Sequence, residues 1–421
     1  MGSWRTRVGV VAMGALATAG GLVAVAGSPA AAVTTTVTNT ADDGTATSLR
    51  EVIAAAASGD TIVLTAGATY SLNCDPGTGE LRITVATLTI QSTSTTQNAI
   101  IEQTCVDRVM VAQFANTSLT LTNITLTGGF KPDGSGGGIK TNNTGGSLNL
   151  DGVAISDNQV ANDGGGIDAH GALSMTNSTI SGNCASDLGG AVVFHDGTSA
   201  VFIQNSTITG NTHGELEAGA ITDTSGRDIT LNYVTLVENT SSPGDPCNFV
   251  ASTGQGPVDP EDADDPVVGS GDVGAQQTPI ANLSMLRGSL TSFGTVIALP
   301  QGPVQGAFNC TLGTATVTSN GYNFEQGGLD ATSCQLTGGA GDVQNGADPA
   351  LGALGANGGP TQTRVPQTGS PLINVIPLSA CAGPSANITR DQRNITRPQE
   401  TGCEIGAVEI PSIPLVAAFT G

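Results

Sequence analysis

One register recurs five times along this chain, and nothing else in the sequence constrains the fold as strongly. The segments 119–126, 148–155, 173–180, 201–208 and 229–236 align without gaps. Each carries an apolar residue at its first, third and eighth positions, as in Leu119, Leu121 and Leu126. Four of the five then place an Asn three residues on, at Asn158, Asn183, Asn211 and Asn239. Successive segments start 29, 25, 28 and 28 residues apart, and Gly-Gly-Gly-Ile139, Gly-Gly-Gly-Ile167, Gly-Gly-Ala-Val192 and Gly-Ala-Ile221 recur between them. Positions one and three share a side of a strand because side chains alternate with period two. A turn at positions four to six lets position eight point inward from a second strand. Such a coil holds about three short strands around an apolar centre, and it must stack because it cannot bury that face alone. The predicted fold is therefore all-β, a right-handed parallel β-helix with coils about 4.8 Å apart. The repeated Asn, a residue that tolerates left-handed backbone angles, is expected to form a ladder along the stack. An antiparallel sandwich also uses short strands and glycine turns, but it does not explain one register recurring five times.

The ends and one insertion depart from this pattern. Ser48-Leu-Arg-Glu51 reads as a capping box, with Ser48 receiving an amide bond and Glu51 reaching back. Leu49, Val52, Ile53 and Ala56 follow at helical spacing, which predicts a capping helix within 47–59 over the N-terminal end of the core. Thr61–Leu64 reads as the first strand. Residues 254–277 hold Asp259, Glu261, Asp262, Asp264, Asp265 and Asp272 with Pro and Gly, and read as a solvated loop inserted in a rung. Ca²⁺ is the one cofactor this acidic loop suggests, although no EF-hand or nonapeptide calcium spacing is present. Strand-like runs resume at Ile280 and continue toward Glu409. The domain expected is thus 33–410, with 411–421 as a tail.

Residues 1–32 read as a secretory signal: Arg5 and Arg7 precede the apolar stretch Val8–Ala26, and Ala30-Ala31-Ala32 offers a cleavage site. No later segment is apolar enough to span a bilayer, so release or loose surface retention of a monomer is expected. The formal charge is −22, falling to about −24 once both signal arginines leave. Such a surface excludes nucleic acid and anionic lipid as partners, because phosphate binding needs clustered Arg and Lys. Eight cysteines beyond the signal fit an oxidising compartment and up to four disulfides. No C-x-x-C pair occurs, and His170, His195 and His213 lie in separate repeats, so no structural metal is expected.

Several stretches also resemble known modules. Thr47-Ser-Leu-Arg-Glu-Val-Ile53 followed by Gly59-Asp60-Thr-Ile62 is similar to the N-terminal CSLREA module of bacterial surface β-helix proteins, with Thr47 where that family has Cys. Asn-Ser-Thr-Ile-Ser-Gly-Asn183 and Asn-Ser-Thr-Ile-Thr-Gly-Asn211 resemble repeats of polymorphic-outer-membrane-protein-like and pectin-lyase-like β-helices. Asp348-Pro349, Asn357-Gly-Gly-Pro-Thr361, Gly369-Ser-Pro-Leu-Ile373, Asp391-Gln-Arg393, Arg397-Pro398 and Cys403-Glu-Ile-Gly-Ala407 resemble, in order, a choice-of-anchor Q domain over 345–410. Where that family has an Asp after its Ser-Pro pair, this chain has Asn374. The resemblance implies an exported β-helix and brings no active site with it. It also implies pairing of Cys310 with Cys334 and of Cys381 with Cys403. Cys74 and Cys105 lie 31 residues apart, near one rung. Cys184 and Cys247 are left, 63 residues apart, and their pairing stays open because loops would have to bring them together.

Parallel β-helices often cleave acidic polysaccharides, so carboxylates and bases that could share one face of the coil carry weight. A hydrolase needs two carboxylates on one face; a lyase needs a base with a cation beside the uronate. The best cluster is Asp163-Gly-Gly-Gly-Ile-Asp168-Ala-His170, with His195-Asp196 one rung later. Its plain reading is a set of polar turn residues beside a Gly-rich corner. The site patterns of polygalacturonases and pectate lyases are missing. Lys131 and Lys140, the only lysines, are expected in a solvated Gly-rich loop. Arg390, Arg393 and Arg397 are expected to form surface pairs with Asp391, Glu400, Glu404 or Glu409, each contributing little. The sequence therefore points to a secreted or surface protein, non-catalytic, whose long flat face binds extracellular matrix, polysaccharide or a surface protein. The alternative is a divergent pectin-lyase-like polysaccharide lyase or glycoside hydrolase.

Overall fold

Short strands of alternating burial stack in parallel ladders, and their register reproduces the sequence repeat. The computed structural model describes residues 31–411, except 74–78, 114–115, 143–144, 196, 198, 216–218, 245, 248–278, 303–306 and 328–332. The signal segment to residue 30, Asp196, the acidic segment 254–277 and the tail from 412 lie outside the described residues. The chain forms a parallel β-solenoid of about nine turns. Sheet 1 has ten strands, from Thr34–Val37 to Thr316–Ser319; sheet 2 has ten, from Thr69–Leu72 to Val343–Gly346; sheet 3 has eight, from Leu81–Ile83 to Phe308–Thr311. Position one of the repeat aligns as Leu119, Leu148, Leu173, Val201 and Ile229 in sheet 1. Position eight aligns as Leu126, Ile155, Ile180, Ile208 and Leu236 in sheet 2. Ile139, Ile167, Val192 and Ile221, the residues closing the glycine runs, align in sheet 3. All of these are at most 1 % exposed and meet in one core. Each buried Leu or Ile contributes about 1.5–3 kcal/mol, so stacking is what holds each coil.

Two details at the corners go beyond expectation. A fourth ladder of five two-residue strands, from Phe130–Lys131 to Thr240–Ser241, runs between sheets 2 and 3. Beside it stands the asparagine ladder: Asn158, Asn183, Asn211, Asn239 and Asn282 each pass a side-chain amide hydrogen to the next Oδ1 at 2.8–3.0 Å, ending at Asn309. These asparagines are not the left-handed residues. Positive φ falls instead on the residue before, at Asp157, Gly182, Gly210 and Glu238, which turns the chain so that the Asn side chain can point inward. A second left-handed column stands at position five of the repeat, between sheets 1 and 2: Asn123, Gly152, Asn177, Asn205 and Tyr233, with φ from 46° to 65°.

The N-terminal end is closed by a helix, Leu49–Ala55, packed against Leu81–Ile83 at the start of sheet 3. Leu49 and Ile53 join the core. The predicted capping box does not form: Ser48 is the N-cap residue, but its buried hydroxyl makes no capping bond. Arg50 fastens the helix instead, pairing with Asp42 at 2.7 Å and donating to the Glu80 carbonyl. The first strand is Thr34–Val37, not Thr61–Leu64, with which it pairs.

Beyond Gly346 the chain adds no further coil to the ladders. Residues 347–410 run back along the outer face of sheet 2, with one short antiparallel pair, Ile376–Pro377 against Gly402–Cys403. Gln392 donates to Thr179 Oγ1 at 2.8 Å and accepts from Thr207 Oγ1 at 2.7 Å. The Tyr233 hydroxyl donates to the Cys381 carbonyl at 2.7 Å. Tyr233, Phe293 and Phe324 pack with Leu372, Ile376, Ile388 and Ile405 in a second core. The arginines do not form surface pairs: Arg393–Asp391 and Arg397–Glu409 are buried, and Arg397 also lies 3.8 Å over the Tyr233 ring. They are shut in because the second core closes over them, so removing one partner would strand a buried charge. Cys184–Cys247, Cys310–Cys334 and Cys381–Cys403 are disulfides. Cys105 is disulfide-bonded as well, whereas Cys74 lies outside the described residues. Among the described residues no helix is long and apolar enough to cross a membrane.

Candidate functional site

Two regions carry polar side chains in an arrangement that could do chemistry or binding. The first is on sheet 3, where the register sets Lys140 beside Asp168, with Val111 before them and Val193 after. Lys140 Nζ lies 3.3 Å from Asp168 Oδ2, and both side chains are at most 1 % exposed. His170 Nε2 lies 3.5 Å from the other oxygen of Asp168. His195 Nε2 lies 3.1 Å from Asp163 Oδ2, and the two imidazoles stand 5.5 Å apart. Asp163 also accepts from the Leu188 amide at 2.9 Å. Asp163, Asp168 and His170 are thus drawn together with His195. Arg227 completes the cluster from below, donating to the carbonyls of Ala169, His170, Gly171, His195 and Ser199 and so fixing the turns that carry both histidines.

Burial pushes the Asp163 carboxyl up against the pull of His195. At Asp168 burial works the same way, but the Lys140 charge and the His170 contact outweigh it and hold that carboxyl below the usual range. Two carboxylates driven apart in this way are what acid–base sites use. Here, however, both are shut away from solvent, at 1 % and 0 % exposed. Their partners answer their charge, as in a structural ion network. The lysines are not in solvated loops either. Lys140 sits on a strand, and Lys131 is buried between Asp107 and Asp133. Lys140 was readable as part of this cluster from the alignment of Ile139-Lys140 with Ile167-Asp168; Arg227, two coils away, carried no sequence signal.

The second region is a groove that exists only because the C-terminal segment folds back. On one wall the position-five column presents Asn123, Asn177 and Asn205, with Asp151 and Gln204 beside them; Arg390 stands on the opposite wall. The cavity measures about 370 Å³. Across Pro360 a second opening of about 850 Å³ continues over sheet 2, lined by Ser156, Ser181, Thr209, Glu238 and Arg364 among others. Hydroxyl and amide groups dominate both, and among the described residues no aromatic ring lines either. The sequence singled out none of these groove residues as a site, although it marked the turns on which several sit.

No protein-family model matches this chain, and no curated protein matches it. Among solved structures, one described as the crystal structure of pectate lyase Pel9A is similar at 13 % identity and a TM-score of 0.44. The likeness covers 90 % of this chain and 96 % of that one. At that level it carries no weight, and the assignment of a parallel β-solenoid rests on the strand ladders themselves.

Proposed function

We propose that this is an exported, non-catalytic β-helix protein that binds extracellular polysaccharide or matrix, its two ends being CSLREA-like and choice-of-anchor Q-like modules. The observation that carries the reading is the contrast in access between the two polar regions. The carboxylates of the cluster are buried, with His170 17 % and His195 11 % exposed, and their charges are answered by Lys140 and the histidines, whereas the groove is open and lined mainly by hydroxyl and amide groups with Asp151, Arg390, Glu238 and Arg364 among them. Binding needs the second kind of surface; hydrolysis or elimination needs the first kind brought into the open. The disulfides support export into an oxidising compartment. The test incubates the purified protein with pectin, alginate, a glycosaminoglycan and neutral plant and microbial glucans and mannans, with and without Ca²⁺. Retention on at least one polymer with no new reducing or unsaturated ends is expected. Product formation that disappears in Asp168→Ala or His170→Ala would establish the lyase or hydrolase reading instead.

A further inference from the structure

We propose that the groove beside Asn205 is a binding site for neutral oligosaccharides, an inference that rests on the polysaccharide-binding reading and gives it a location and a chemical class.

The left-handed turn at position five places one side chain per coil at the same corner of the solenoid, with coils about 4.8 Å apart. That repeat is close to the length of one pyranose unit, so successive coils can present similar groups to successive sugars. The column is interrupted at Gly152. A Cβ there would stand 2.3 Å from Asn123 Oδ1 and 3.1 Å from Pro360 Cγ, so only glycine lets the coil lie this close to Asn123 and Pro360, which form this part of the groove wall.

The groups that line the groove beside Gly152 are prepared for hydroxyls. Asn205 is 4 % exposed, and its amide donates to the Arg390 carbonyl at 2.8 Å. Its Oδ1 is buried and accepts no hydrogen bond. A buried acceptor without a donor is costly, and native structures normally supply one from protein, water or ligand. Asp151, which lines the groove, is held in place by Thr176 Oγ1 at 3.0 Å and Asn177 Nδ2 at 2.8 Å, both donating to Oδ1, and its carboxylate offers acceptors. Arg390, tied through Nη1 to the Asn394 carbonyl, supplies donors from the other wall. Acceptors and donors on facing walls suit vicinal hydroxyls, each of which can both donate and accept.

Charge selects among sugars. The groove sets one guanidinium, Arg390, against the carboxylates of Asp151 and the buried Asp391, and the protein as a whole carries −22. A polyuronate would approach a repelling surface and find no surplus of cations. A neutral hexose chain meets neither obstacle. With no aromatic platform among the described residues of the groove, affinity comes from several weak hydrogen-bonded contacts, which places it in the range of about 1 mM for a short oligosaccharide.

The experiment titrates the full mature protein with cellohexaose, mannohexaose, maltohexaose and trigalacturonate by NMR or calorimetry. Gly152→Asn, which tolerates the left-handed turn but would press on Asn123 and Pro360 and so displace the groove wall, and Asp151→Ala, on an exposed side chain, serve as test variants; thermal melts confirm that each stays folded. The proposal expects one of the neutral hexaoses to bind, about tenfold weaker in Gly152→Asn and several-fold weaker in Asp151→Ala, with trigalacturonate inert. Preference for trigalacturonate overturns it, as does neutral binding unmoved by both folded variants. If polymers are retained by the protein but neither variant changes that retention, this location fails and the binding reading stands. If no polymer is retained at all, both fail.

Discussion

Replacing the buried Lys140–Asp168 pair tests whether that cluster is architecture or chemistry. At 3.3 Å the attraction is about 5 kcal/mol for an effective dielectric of 20, while taking each ion from water costs several kcal/mol. The two terms nearly cancel, so the pair as a whole adds little. Either residue alone is another matter. Lys140→Met removes the ammonium that answers Asp168, leaving His170 Nε2 at 3.5 Å beside the buried carboxylate, and the expected loss is about 3–5 kcal/mol. Asp168→Val removes the carboxylate 3.3 Å from the Lys140 ammonium and is expected to cost a similar amount. The double variant extends the column begun by Val111 and continued by Val193 on the neighbouring strands, and should lie within about 2 kcal/mol of the parent protein. Urea unfolding with disulfides intact, followed by far-UV dichroism and tyrosine fluorescence, measures the cycle. A double variant as unstable as the sum of the singles would refute the argument. So would loss of polysaccharide retention in a folded double variant, because a purely structural pair has no part in binding.

The asparagine ladder makes a second claim. Asn211→Ala removes the Oδ1 that serves both the Asn183 amide at 3.1 Å and Asn183 Nδ2 at 2.9 Å, and should cost about 2–4 kcal/mol by leaving buried donors unmet. Half-buried Asn149→Thr on sheet 1 should change stability by less than about 0.5 kcal/mol; equal urea midpoints for the two would remove the ladder from the account. A third concerns pH. Burial pushes Asp187 up to about 7, with the charges of Asp163 and Glu215 adding to it. Because its folded value lies above the ordinary 3.8, the stability it supports is present at low pH and lost as pH rises through about 7. Burial pushes His213 down to about 4, so its contribution runs the other way, lost as pH falls from 6.5 toward 4. Asp187→Asn should match the parent near pH 4, exceed it above pH 7, and leave the His213 slope visible; identical stability profiles for parent and variant would contradict the burial of Asp187.

What was legible in the sequence is what the fold builds locally. Leu119, Leu148, Leu173, Val201 and Ile229 betray their shared register because each coil repeats the same problem, hiding one apolar stripe on the next coil. The ladder was read only from Asn158 to Asn239, because Asn282 follows 43 residues later, across an insertion that breaks the period. The helix was visible from its apolar spacing, but its fastening by Arg50 to Asp42 was not, since a capping box and a salt bridge compete for the same helix end and only packing decides between them. The C-terminal segment was harder still. Its contacts to sheet 2 join residues 148 to 214 positions apart, such as Tyr233 with Cys381 and Gln392 with Ser178, and nothing periodic announces them. Asn205 shows the consequence for function. Its left-handed turn is a local matter that the repeat makes readable, but its amide is claimed by Arg390, 185 residues later. That distant contact fixes the side chain with its other oxygen unmet, and so turns an ordinary turn residue into a wall of a groove.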